Sequence, residues 1–385
     1  MKDGKLRVAV AGLNFGGAFV PIWIKHPDVY AVDIIEVDDA IIGDYLGKRP
    51  ELGINKIYHS LDEALAEPEI DAVHLVTPIP LHGKQSIQVL RSGKHCACTV
   101  PAAVTLEDLY EIVRAQKETG KNYMMMETAA YTFQILMVEK MLQAGEFGRI
   151  QMLRGCHYQD MEFWPSYWNG LPPMHYGTHA ISPLLKLART RATDVVCFGS
   201  GTMREELQRQ YGNPYPIEIA LYHLENSPAT LEITRTLFET ARSYCEGFSI
   251  YGSEKTFEWN HHDAKFLQSF KPVTSPRRGR EILCQHLLDN DFPDTGNMLP
   301  PEIGRFTVKG NYDDTNPQNT FVAGGGHHGS HPHLVHEFAR SIIEKRLPAI
   351  DAVKSADWTA PGICAHQSAM KHGERVIIPD FSKEF

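Results

Sequence analysis

The sequence has no run of 18 apolar residues, the length a membrane-spanning helix needs, so no membrane partner is expected. Positive charge is in short supply. Thirty-eight Lys and Arg against 47 Asp and Glu leave a net charge of −9 at pH 7, a poor match for the phosphate backbone of nucleic acid. Cysteine is scarce as well, with seven residues scattered from Cys96 to Cys364. Only Cys96 and Cys98 are close, and C-x-C is neither a redox pair nor a zinc knuckle. That argues against a disulfide framework and for reduced thiols, so the expected compartment is cytoplasmic. Met1–Lys5 leads into a strand pattern without the apolar segment of a signal peptide. Internal repeats and low-complexity tails are missing too.

What is present is an ordinary globular composition, 43% hydrophobic and 22% charged over 385 residues, enough for two domains. Leu6–Ala11 is a buried-strand pattern that runs into Gly12-Leu13-Asn14-Phe15-Gly16-Gly17, and Ala18–Lys25 is helix-compatible. Strand, glycine turn and helix start together form the phosphate end of a dinucleotide site. The common fingerprint is G-x-G-x-x-G. Here Asn14 replaces the middle glycine, and asparagine tolerates left-handed backbone angles better than most residues.

Tyr30–Val37 reads as a second strand ending at Asp38-Asp39. An acid at that tip meets the adenosine ribose hydroxyls and repels a 2′-phosphate, which favours NAD over NADP. Asp38 is 26 positions past Gly12, against about 20 in the common spacing. The bland alternative is a solvated strand end. Capping residues Ser60 and Thr105 open helices, Gly93 and Gly120 close helices, and strands fall at Asp71–Val76, His95–Thr99 and Tyr123–Met126. Such alternation specifies a doubly wound parallel sheet.

From Tyr131 the pattern changes. Phe133–Ala144 is helical. Ile150–Tyr158, Asp194–Phe198, Glu218–Leu224, Thr230–Leu237, Phe248–Tyr251 and Thr256–Trp259 are strand candidates without intervening helices. The expected second domain is α+β with an open, mostly antiparallel sheet, one face covered by helices. Lys271–Asn319 is expected to be loops. Pro332–Glu344 and Asp357–Lys371 read as helices. The expected division is 1–128 and 129–385, with the last helix packing back on the first domain.

With these residues in place the chain resembles the glucose-fructose oxidoreductase, inositol dehydrogenase and MocA superfamily over nearly its whole length. The resemblance rests on Gly12–Gly17, Asp38, Thr77-Pro78 with His82, Gly93-Lys94-His95, and Gly145 with Gly148. It implies an N-terminal Rossmann domain, a sugar or glycoside as substrate, and a homo-oligomer, dimer or tetramer. It also implies cofactor contacts from Gly12, Asn14, Phe15, Gly16, Gly17, Asp38, Thr77, Pro78, His82, Thr99, Pro101 and Trp168. The family usually has Glu-Lys-Pro after strand five, its lysine helping to deprotonate the alcohol. This chain has Thr99-Val100-Pro101. In the family's Asp-x-x-x-His pattern the acidic position is His175. Met125–Tyr131, Phe163–Trp168 and Tyr176-Gly177-Thr178-His179 are similar instead to the NAD-dependent glycosidase branch, whose type example is an α-N-acetylgalactosaminidase. That branch cleaves by transient oxidation at C3, elimination, water addition and re-reduction.

Such chemistry needs a base at the C3 hydroxyl, a base at C2 and a polarising acid, best supplied by groups titrating near neutrality. His179 is the candidate hydroxyl base, its alternative a core histidine bonded to a carbonyl. Tyr176, three residues earlier, would polarise the ketone or simply pack. His157 and Tyr158 end a strand, and alternation turns only one toward the site. His157 is expected to be the C2 base, and Tyr158 to contact substrate. Glu127 would orient substrate or a histidine. His175 joins the catalytic candidates; its i, i+4 spacing to His179 could suit a metal, but no carboxylate nearby in sequence completes a ligand set, and no metal is expected. Trp164, His327 and His328 are candidate substrate contacts, the last two in a glycine-rich loop before a helix that Ser330 caps. The expected enzyme is an NAD-dependent glycoside hydrolase of oxidoreductase fold. The alternative is a net sugar or polyol dehydrogenase, and a non-catalytic dinucleotide-sensing regulator is the third reading.

Overall fold

The computed structural model describes residues 1–242, 244–259, 267–275, 279–287, 292–308 and 326–383. They form two compact units, Met1–Phe133 with Asp294–Ala356, and Gln134–Pro293 with Asp357–Glu384. This differs from a single cut at 128. Segment 294–356 returns to the first unit, and the last division falls within the long helix Ala352–Met370. Among the described residues no helix is long and apolar enough to cross a membrane.

The first unit holds six parallel strands: β1 (Leu6–Ala11), β2 (Val29–Ile35), β3 (Ile57–Tyr58), β4 (Ala72–Leu75), β5 (His95–Cys98) and β6 (Tyr123–Met125). Their order is β3-β2-β1-β4-β5-β6, the doubly wound arrangement whose order reverses between β1 and β4. Every residue of β1 is buried, as a central parallel strand covered on both faces requires. The expected caps are in place. Ser60 accepts from the Glu63 amide, Thr105 from that of Asp108, and Gly120 ends its helix at φ 63°. The helix Asp39–Gly47 was missed in the sequence; it follows β2 directly and Asp38 caps it.

The second unit is built on β7 (Ile150–Tyr158), β8 (Ala192–Ser200), β9 (Ile217–Leu224), β10 (Ser227–Thr236), β11 (Cys245–Gly252), β12 (Thr256–Trp259), β13 (Leu267–Ser275), β14 (Gly279–Leu287) and β15 (Val376–Ile377). The order is β14-β13-β12-β11-β7-β10-β9-β8-β15, and only β7 and β10 pair in parallel. Lys271–Asn319 is therefore not loop throughout, because β13 and β14 form a hairpin from Leu267↔Leu287 to Ser275↔Gly279. Pro272 is tolerated because β12 pairs only with Leu267–Phe270, so the proline faces a strand on one side alone. Residues 276–278, 288–291 and 309–319 of that expectation lie outside the described residues. Along β9 exposure alternates strictly, as for a sheet with one packed face. The helix Thr178–Ala188 lies on that packed face. It sits so close that a Cβ on Gly155 of β7 would meet the Ala180 carbonyl oxygen at 2.7 Å.

Candidate active site

In the first unit the chain leaves β1 at Gly12, whose φ is 88°. A Cβ there would also meet the Val76 carbonyl oxygen at 2.5 Å, so glycine is required by both angle and space. Val76 follows β4, which puts this contact at the switch point of the sheet. Gly16 lies against Val76 and Val10, and a Cβ on Gly17 would strike the Tyr45 ring at 2.4 Å. Tyr45 donates to the Gly17 carbonyl at 2.7 Å. Asn14 does not adopt positive φ; Gly12 alone makes the left-handed step, and the expected role of Asn14 in the turn is not needed. Phe15 is 41% exposed and stands edge-on to the His327 and His331 rings, 5.6 Å from each.

Asp38 is exposed, and its carboxylate accepts from the Ala40 amide at 2.8 Å. It works as a helix cap. The acid that faces the turn is Glu36, the residue after β2. Its Oε2 accepts from the Leu13 amide at 2.9 Å and its Oε1 from the Val37 amide at 2.9 Å. Sequence reading passed over it in favour of a pair of aspartates two residues on. The usable signal was strand register, since β2 ends at Ile35 and not at Val37. Bare backbone at Gly12–Gly17 and a carboxylate at the end of β2 fit a dinucleotide.

His82 does not offer its ring to a ligand. Nδ1 is 2.8 Å from the Pro101 carbonyl oxygen and Nε2 is 2.8 Å from that of Thr77. Both nitrogens must then carry hydrogen, which makes the ring a cation. Burial opposes that charge, but the Cys98 thiol and the two carbonyls outweigh it, and the pKa is pushed up to about 9. His82 is thus a strut between the ends of β4 and β5. Thr77 donates to Gln85 at 2.5 Å, and Thr99 donates to the Leu75 carbonyl at 3.3 Å. Pro78 precedes a 3-10 turn at Ile79–Leu81. Glu127, fully buried, accepts from the Ala129 amide at 2.9 Å. His327 and His328 both have positive φ, 45° and 52°. His327 Nδ1 lies 3.2 Å from His331 Nε2, and the His328 ring stands 5.8 Å from Phe133. Ser330 makes no side-chain cap.

In the second unit, His157, Tyr176 and His179 converge. His179 Nε2 is 3.1 Å from the Tyr176 hydroxyl. The His157 ring is 5.2 Å from that of His179 and 6.2 Å from that of Tyr176. His157 is fully buried and His179 nearly so. As strand alternation requires, Tyr158 points to the opposite face of β7 and does not join them. Trp168 packs edge-on against Tyr176 at 4.9 Å, with Trp164, 52% exposed, beside it.

His175 is turned elsewhere. It belongs to the 3-10 turn Pro173–Tyr176, while the helix begins at Thr178, so the i, i+4 relation to His179 has no continuous helix to carry it. Its ring meets His366 edge-on at 5.0 Å. His366 in turn bonds Glu218 at 2.7 Å. Burial and the neighbouring imidazole push the His175 pKa down to about 3, so it stays neutral and acts in packing.

Three members of the cluster were missed. Glu246 is opposite His157 in β11, and Arg235 is opposite it in β10. A Glu246 carboxylate oxygen lies within 4.8 Å of a His179 ring nitrogen. Tyr244, 5.1 Å from the His157 ring, hydrogen-bonds Glu246. None has a local motif; only the pairing of β7 with β10 and β11 brings them together.

Comparison with known proteins fits this geometry. Residues 6–127 match a family described as oxidoreductases with an NAD-binding Rossmann fold. A glycosyl hydrolase family 109 protein of Streptomyces niveus is 23% identical over 406 residues, covering 98% of this chain and 78% of that protein. One from Porphyromonas gingivalis is 32% identical over 128 residues, 31% of this chain and 27% of its own. Among solved structures, levoglucosan dehydrogenase in complex with NADH and levoglucosan matches with a TM-score of 0.76 at 19% identity. That match covers 97% of this chain and 100% of the other. The myo-inositol 2-dehydrogenase of Lactobacillus plantarum matches at 0.70 and 15%, covering 97% and 100%. At these identities the structural likeness speaks for the fold.

Proposed function

We propose, from the match of residues 6–127 to the oxidoreductase family with the NAD-binding Rossmann fold, that this chain is an NAD-dependent enzyme cleaving a glycosidic bond through a transient 3-keto sugar. The observation that carries the reading is the presence of two separate proton-handling centres in one buried cluster. The Tyr176–His179 pair is one, and His157 on β7 is the other. Net oxidation of an alcohol needs one base. Oxidation followed by elimination needs a second, for the proton on C2. The position that carries lysine in simple dehydrogenases of the resembled superfamily is Val100 here, so the protons fall to the histidines and tyrosines.

NAD, when bound, would supply the acceptor for the C3 hydride and the donor that returns it. Glu36 would hold the ribose, and the amides of the Gly12–Gly17 turn the pyrophosphate. His179 takes the proton from the C3 hydroxyl, relayed through Tyr176, whose hydroxyl then donates to the new ketone. His157 removes the C2 proton that the ketone has acidified. The C1 substituent leaves as an alkoxide and is protonated by the proton that the added water gives up at C1, His157 returns its proton to C2, and on re-reduction the proton held by His179 goes back through Tyr176 to the C3 oxygen. Relatives named for a glycosyl hydrolase family support the carbohydrate substrate.

A net dehydrogenase is the second reading, because the Tyr176–His179 pair alone suffices for alcohol oxidation. Aryl glycosides incubated with enzyme and catalytic NAD separate the two. The proposal expects aglycone release without net reduced nicotinamide, and exchange of C2 hydrogen with deuterated solvent. Steady accumulation of reduced cofactor without cleavage would replace it with the dehydrogenase.

A further inference from the structure

Arg235 is fully buried, yet among the described residues it makes no ion pair. Its partners are all neutral. Nε donates to the Tyr176 carbonyl at 2.9 Å, and one terminal nitrogen to the His157 carbonyl at 3.0 Å and the Thr236 carbonyl at 2.5 Å. The other terminal nitrogen donates to Gln159 Oε1 at 3.0 Å. The guanidinium carbon stands 5.2 Å from the centre of the Tyr176 ring, within the range of cation–ring attraction. A buried charge is ordinarily paired with a carboxylate. Here the donors are satisfied by neutral acceptors, and the carboxylate of Glu246 acts on the charge without a contact ion pair.

We propose that Arg235 is the positioning residue of this cluster: it fixes the backbone at 157 and 176, and its charge, not tied up in a contact ion pair, stabilises the phenolate of Tyr176. The inference rests on the proposed role of the Tyr176–His179 pair. A phenol beside a cation gives up its proton more readily, because the attraction to phenolate exceeds that to the neutral ring. The charge thus does for Tyr176 what an ammonium would do for a substrate hydroxyl. Burial pulls the Arg235 pKa down to about 10, still far enough above neutrality to keep it charged. The titratable groups around it are Cys156 and His157 from β7, Tyr176 itself with His179 bonded to its hydroxyl, and Tyr244 and Glu246 from the β11 side.

The test is spectroscopic and does not depend on knowing the sugar. Tyrosinate absorbance of the full-length protein is titrated from pH 7 to 12, with the Tyr176→Phe variant subtracted to isolate the Tyr176 signal. Arg235→Met is expected to raise the Tyr176 midpoint by about one unit or more. Arg235→Lys, which keeps the charge and loses the fork, should leave it within a few tenths. An unmoved midpoint in folded Arg235→Met, with only the melting temperature lowered, would reduce Arg235 to a structural brace. If Arg235→Met does not fold, Arg235→Lys decides: a retained midpoint supports the proposal and a raised one overturns it. The reading of Tyr176 itself fails separately, if Tyr176→Phe turns over p-nitrophenyl glycosides at the wild-type rate.

Discussion

The dinucleotide end and the histidine–tyrosine cluster are made in opposite ways. The first is backbone: a turn with side chains removed, an acid one residue past a strand, a buried histidine tying two strand ends. Its parts lie between Gly12 and Pro101 and follow the order of the sheet. The second is side chains held at 3–6 Å by three adjacent strands, a helix and a 3-10 turn. Binding by backbone tolerates many sequences provided glycine stays where space demands it. Proton chemistry tolerates few, because each group must keep its neighbours.

This contrast breaks most sharply at His179. His179→Ala is expected to lower turnover by about 10²–10⁴-fold with NAD affinity within twofold, measured by steady-state rates and NADH fluorescence titration. Equal losses in both would show that the two regions are not separable. Next comes Gly12→Ala. The strained angle and the contact with the Val76 carbonyl should cost about 1–3 kcal/mol of stability and weaken NAD at least tenfold, read by calorimetry.

The two buried histidines sharpen the comparison through pH. The His82 pKa is raised above its unfolded value of about 6.5. Its stabilisation is therefore complete below pH 6.5 and lost as pH rises through about 9. His82→Gln should therefore flatten the alkaline limb of the melting temperature. The His175 pKa is depressed, so its contribution is present above pH 6.5 and lost as pH falls toward 3. His175→Phe should flatten the acid limb instead. The smallest effect belongs to Tyr158→Phe. From the opposite face of β7 it should change turnover less than twofold, and a larger loss would refute the facing of β7.

Legibility followed the same divide. Strand–helix alternation, the caps at Ser60 and Thr105 and the need for Gly12 could be read because they are local. Strand alternation said that only one of His157 and Tyr158 could face the helix, and the structure puts the His157 ring beside His179. Asp38 turned out to cap a helix, and only the end of β2, which the sequence pattern placed two residues late, points to Glu36 as the acid bonded to the glycine turn. His82 misled because a histidine near a ligand and one beneath it have the same spacing. Arg235 and Glu246 were invisible, since their meaning comes from being opposite His157 in a sheet whose register no short window contains.

Glu36 carries one more consequence. The carboxylate proposed to receive the ribose hydroxyls also accepts the Leu13 amide, so in that proposal it pins the glycine turn as well as selecting the coenzyme. An engineer exchanging it for a small or basic residue to admit a 2′-phosphate would loosen the turn in the same stroke. A change of coenzyme in this scaffold therefore calls for a paired substitution, one that restores an acceptor to Leu13 while clearing the ribose edge.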